Sequence, residues 1–125
     1  MAFTPASDKA RLEPTLYYVH MTVRSIFGEL MDSRAARRAM IDSQLRPEGV
    51  TDGAVLAAMG SVERENFVPE AARAFAYFDR TLPLGNGRAM MPPAALGRLL
   101  SELAPRAGER ALVVAAGTGY SAGLL

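Results

Sequence analysis

The chain has 125 residues, half of them hydrophobic and 22% charged, which fits one small globular domain and argues against wholesale disorder. Fourteen basic residues against thirteen acidic ones leave a formal net charge of +1, too little to draw in nucleic acid or an anionic membrane. The absence of cysteine excludes disulfide scaffolds, thiolate zinc sites and cysteine nucleophiles, and the single His20 is too little for a metal centre or a Ser-His-Asp triad.

Residues 1–30 keep neither a helical nor a strand period and read as an N-terminal extension, with a short helix at Ser25 to Leu30 and Met21 or Met31 as a candidate start. An ordinary first helix is the alternative. The apolar run Leu16 to Val19 is far shorter than the ~20 residues needed to span a bilayer, and no export signal is evident, so a cytoplasmic protein is expected.

Periodicity sharpens from Met31. Asp32 or Ser33 is placed to cap a helix whose apolar face is Ala36, Met40, Ile41 and Leu45, ended by Pro47 and Gly49. Arg34, Arg37 and Arg38 read as its wet face. Thr51 is the expected cap of a second helix, with Val55, Leu56, Met59 and Val62 at helical spacing. Pro69 suits the start of a third, Glu70 to Tyr77. Thr81 to Arg88, with two glycines and a proline, reads as short extended arms around a turn. Pro92 and Pro93 open a fourth helix with Leu96, Leu99, Leu100 and Leu103 as its buried stripe, closed by Pro105.

Ala111 to Ala115 is apolar without alternation, the pattern of a strand buried on both faces. Gly117 to Gly119 turns out of it, and Tyr120 to Leu125 begins a helix. Strand, glycine turn and helix together make the first unit of a nucleotide-type α/β fold, in which glycine lets the backbone approach a ligand closely. Gly117-Thr-Gly119-Tyr-Ser-Ala122 satisfies the permissive dinucleotide pattern G-x-G-x-x-G/A, which also fits a plain structural turn.

The order of parts narrows this. Met40 to Arg46, Val50 to Asp52, Val55 to Met59, Phe67 to Pro69, Ala76 to Asp79, Leu82-Pro-Leu-Gly-Asn-Gly87 and Ala116-Gly-Thr-Gly-Tyr120 together resemble the N-terminal part of protein-L-isoaspartate (D-aspartate) O-methyltransferases. The resemblance runs from about Met31 to the last residue. It implies an α/β class: a helical subdomain and β arm over 31–104, then the first strand, glycine loop and helix start of a Rossmann-like methyltransferase domain over 105–125. It implies S-adenosyl-L-methionine as cofactor, damaged proteins or peptides bearing isoaspartyl residues as partners, and methyl transfer to the isoaspartyl α-carboxylate. The ester then closes to a succinimide that reopens to aspartate. Ala115, Ala116, Gly117, Thr118, Gly119 and Tyr120 fall at its cofactor loop, though Tyr120 reads equally as the start of a helix. Asp79 matches a position at the active-site edge, where a turn or capping role is the alternative.

Three positions depart from the family's pattern. Val113 replaces an acidic residue before the loop, Ala115 replaces the loop's first glycine, and Met91 stands where the family has an active-site Ser. A thioether donates no hydrogen bond and accepts poorly. Only one strand of the expected sheet is present, so the sequence reads as an incomplete, divergent member, inactive by itself. The rivals are a methyltransferase-like protein with another substrate, a non-catalytic helical interaction module, and a dinucleotide oxidoreductase.

Overall fold

The computed structural model describes residues 32–125, and Ser33–Leu125 form one compact unit. The extension, its short helix, His20 and the candidate starts Met21 and Met31 lie outside the described residues.

Helix α1 (Ser33–Met40) runs directly into a wider π-helical turn, Ile41–Leu45. The extra residue in that turn brings Leu45 back beside Met40, although the two are five apart. Both are fully buried, and Ala36 and Ile41 pack against them. Arg37 is not on the wet face: it is buried, while Arg34 and Arg38 are exposed. Gly49 ends the segment at φ +86, a left-handed conformation that suits glycine.

Helix α2 (Gly53–Ser61) is capped by Asp52 rather than Thr51. The Asp52 carboxylate accepts from the Ala54 and Val55 N–H groups at 2.8 and 3.0 Å, a reach the residue one position earlier lacks. Val55, Leu56 and Met59 enter the core as expected. Two 3-10 turns follow, Arg64–Phe67 and Glu70–Phe75, the second in place of the expected helix to Tyr77. The Ala76 carbonyl accepts from Arg64 Nε and the Tyr77 carbonyl from Gln44 Nε2, so both carbonyls are committed to side chains.

The arm is an antiparallel hairpin, β1 (Leu82–Gly85) and β2 (Arg88–Met90). Asn86 and Gly87 form its two-residue turn, both at positive φ, the pairing that matches the twist of hairpin strands. Leu82 faces Met90 across the ladder and both are buried.

Helix α3 (Pro93–Leu103) buries Pro93, Ala94, Leu96, Gly97 and Leu100. The leucine stripe is therefore half wrong: Leu99 and Leu103 are 55% and 62% exposed. Gly97 sets the face, because a Cβ there would sit 3.0 Å from Val50 Cγ2 and 3.3 Å from Leu45 Cδ2. The helix approaches the core where it has no side chain, which rotates Leu99 and Leu103 outward.

The expected strand Ala111 to Ala115 does not form. Among the described residues the only strands are β1 and β2, which pair with each other. A parallel-type strand draws its hydrogen bonds from flanking strands. Without them the segment is irregular, and Leu112 and Val114 are 89% and 79% exposed. After Gly119, at φ +96, α4 (Tyr120–Leu124) begins with a buried Tyr120.

Candidate functional site

Three segments meet around one cleft with about 180 Å³ of water-accessible space. The hairpin contributes Leu84, Ala89 and Met90, the entry to α3 contributes Met91, and α3 contributes Leu96. The facing wall is Ala115, Ala116, Gly117 and Thr118, followed by Tyr120 and Ser121 of α4. One wall is apolar, and the other carries backbone groups and hydroxyls.

The fold thus brings together most of the positions singled out in the sequence. Ala115, Ala116, Gly117, Thr118, Tyr120 and Met91 line the cleft, with Met91 half exposed on its edge. Gly119 does not line it; Gly119 turns the chain into α4. Ala115 adopts φ +55, a left-handed conformation that costs an L-residue energy and a glycine almost nothing. Asp79 is outside the cleft. Its carboxylate accepts from the Ala94 N–H at 3.0 Å, so it caps the first turn of α3 from fifteen residues upstream.

Tyr120 does more than start a helix. Its ring packs edge-on against Phe67, with centroids 5.4 Å apart, and the Arg64 guanidinium lies 4.8 Å from its centroid. Arg64 is fully buried, although it stands between Glu63 and Glu65 and no local pattern marks it. Its Nε donates to the Ala76 carbonyl and its Nη2 to the Met91 carbonyl.

Arg64 Nη1 and the Tyr120 hydroxyl are both buried and form no hydrogen bond among the described residues. Burial holds Arg64 below the usual arginine value, with Tyr120 opposing the shift. Burial also pushes the Tyr120 hydroxyl up, with Arg64 opposing it. Tyr120 is therefore a neutral donor at physiological pH, without a partner on the cleft wall.

The profile of the family described as protein-L-isoaspartate(D-aspartate) O-methyltransferase (PCMT) matches residues 35–125. The chain is 46% identical over 89 residues to protein-L-isoaspartate O-methyltransferase 2 of Anaeromyxobacter sp. (strain Fw109-5), covering 71% of this chain and 37% of that protein. It is 46% identical over 91 residues to protein-L-isoaspartate O-methyltransferase of Methylorubrum populi, covering 73% of this chain and 43% of that protein. With the protein of that name from Aeropyrum pernix it shares 47% over 93 residues, covering 74% of this chain and 35% of that protein. The chain thus spans about two fifths of the length of such relatives. From the helical region through the arm to the glycine turn, it belongs to the protein-L-isoaspartate(D-aspartate) O-methyltransferase family.

Proposed function

We propose that the protein transfers a methyl group from S-adenosyl-L-methionine to the α-carboxylate of L-isoaspartyl residues in damaged proteins. This chain would hold the helical part, the arm and the glycine turn of a Rossmann-like methyltransferase fold. The observation that carries the reading is the cleft itself, in which the end of the arm at Met91 faces the turn Ala115–Thr118 and Tyr120. Family membership and the names of the relatives support the reaction type.

The residues present fit one end of such a cofactor. Complete small-molecule sites start at roughly 300 Å³, so a 180 Å³ cleft accommodates part of the ligand. Gly117, at positive φ on the cleft wall, has no Cβ, which permits close approach of a ligand to the backbone there. The unpartnered Tyr120 hydroxyl is a buried donor left for a polar group. When bound, the cofactor supplies a methyl group already activated on a sulfonium, and the substrate carboxylate is itself the nucleophile. No side chain has to become a nucleophile, and alignment supplies most of the rate. Leu84, Leu96 and Met90 give the cleft an apolar wall.

A second reading, another methyl acceptor, rests on Met91. Its thioether, 41% exposed, occupies the cleft edge where the family's pattern has a hydroxyl. Two experiments decide. Calorimetry with S-adenosylmethionine tests the cofactor, and no heat of binding would sink both readings. A chimera carrying residues 35–125 in place of the matching part of the Anaeromyxobacter relative tests the acceptor. Labelled methyl transfer to an isoaspartyl peptide but not to its aspartyl twin supports the first reading. Cofactor binding without such transfer supports the second.

A further inference from the structure

Arg64 is a cation placed where an apolar side chain would cost less. It is fully buried, and no carboxylate forms an ion pair with it among the described residues. An arginine in that position is expensive to desolvate, and stability alone favours a residue such as Met. Its contacts indicate what it does instead. Nε and Nη2 reach two carbonyls on separate segments, Ala76 ahead of the arm and Met91 at the arm's end. The guanidinium carbon lies over the Tyr120 ring, 4.8 Å from its centroid. A lysine has one donor centre and no flat face, so only Arg makes all three contacts at once.

Met91 and Tyr120 belong to the facing walls of the cleft. No ladder ties those walls together, since β2 pairs only with β1 among the described residues. We infer that Arg64 is a positioning residue that sets the width of the cleft, holding the Met91 backbone at a fixed distance from the Tyr120 ring. The inference deepens the function proposed above and rests on it for its catalytic meaning: the cleft width fixes where an acceptor held at the arm meets a cofactor held at the glycine turn. A misplacement of ~1 Å between such partners lowers rates by about a hundredfold.

The test reads the cleft width directly. The chain has no cysteine, so Ala89→Cys with Ser121→Cys takes one spin label on each wall, at cleft-lining residues other than those Arg64 bonds or stacks on. A single narrow distance distribution is expected for this double variant. Adding Arg64→Met or Arg64→Lys is expected to lose the narrow peak while far-ultraviolet circular dichroism stays unchanged. Adding Arg37→Met instead, at a buried arginine that does not line the cleft, is expected to lower stability and leave the peak narrow.

A peak that stays narrow in folded Arg64→Met or Arg64→Lys overturns the inference. So does loss of folding in both, which would make Arg64 a determinant of the fold rather than of the cleft. If only Arg64→Lys folds, its distribution decides. Binding of S-adenosylhomocysteine to the unsubstituted chain, measured separately, reports on the proposed function. A missing cofactor site and a missing bracket therefore give different results.

Discussion

Arg37 Nε donates a hydrogen bond to the Tyr77 hydroxyl at 2.8 Å, across forty residues of sequence. Tyr77 donates in turn to Glu65, and Arg37 Nη2 lies 3.4 Å from the same carboxylate. Three side chains from α1, the first 3-10 turn and the segment after the second thus close one network. It joins elements that share no strand pairing.

Removing Arg37 leaves the Tyr77–Glu65 hydrogen bond in place but strips the cation from a partly buried carboxylate. Arg37→Met is therefore expected to cost about 3 kcal/mol, the lower end for breaking a buried charged network. Arg37→Lys keeps the charge but loses the planar fork, and it should recover only part of the loss. The urea midpoint reads both. A midpoint unmoved in Arg37→Met would show that the network adds nothing to stability.

The network also sets a dependence on pH. Burial pushes the Glu65 carboxyl up, but the Tyr77 hydroxyl, then its own backbone N–H, the Ser33 hydroxyl and lastly Arg37 outweigh it and hold the group below its ordinary 4.5. Tyr77 is pushed well above its ordinary 10.0, first by burial and then by Glu65. A carboxyl with a lowered value favours folding above about pH 4.5, and that contribution is lost as pH falls. A phenol with a raised value favours folding below about pH 10, and that contribution is lost as pH rises. Urea midpoints across pH should thus decline at both ends. Tyr77→Phe should flatten the alkaline decline and Glu65→Gln should shrink the acid one. An alkaline decline that persists unchanged in Tyr77→Phe would assign it to another group.

Asp79 separates a cap from an active-site edge. As the acceptor for the Ala94 N–H it stabilises α3, so Asp79→Ala should cost about 1 kcal/mol, while Asp79→Asn, which keeps the oxygen, should cost much less. Neither should change affinity for S-adenosylmethionine, because Asp79 does not line the cleft. Equal stability of all three proteins together with weakened ligand binding would return Asp79 to the site.

How far the sequence reveals this molecule depends on where each signal comes from. The arm over Thr81 to Arg88 is legible as extended pieces around a turn because that information is local, while the structure alone puts the turn at Asn86 and Gly87, both at positive φ. Met40, Val55, Leu56 and Met59 were legible from periodicity. Leu99 and Leu103 were misread because spacing alone does not tell which side of a helix meets a neighbour, and Gly97 decides it by close approach. Arg37 and Arg64 were read as surface or passed over, since nothing in the type of a charged residue reveals that distant carbonyls will enclose it. Ala111 to Ala115 failed as a strand because a strand is a property of its neighbours as much as of its own residues. In the cleft, the family pattern points to the glycine turn and Met91, and no local pattern points to Arg64, which contacts the Met91 carbonyl and the Tyr120 ring.

Ala115 gives the sharpest test of the glycine turn. The family pattern has glycine at this position, and here the alanine adopts φ +55. The left-handed conformation costs a residue with a Cβ roughly 1–2 kcal/mol. Glycine avoids that strain but loses about 0.5–1 kcal/mol through the greater freedom of its unfolded chain. The difference favours Ala115→Gly by up to about 1.5 kcal/mol, so the variant should be as stable as the parent or somewhat more so. It also removes a methyl group from the cleft wall. If the turn holds a cofactor, Ala115→Gly should bind S-adenosylmethionine more tightly by calorimetry, and Ala115→Val should bind it more weakly and unfold earlier. Stability that rises in Ala115→Gly while affinity stays flat would confine the role of this residue to the fold and place the ligand elsewhere.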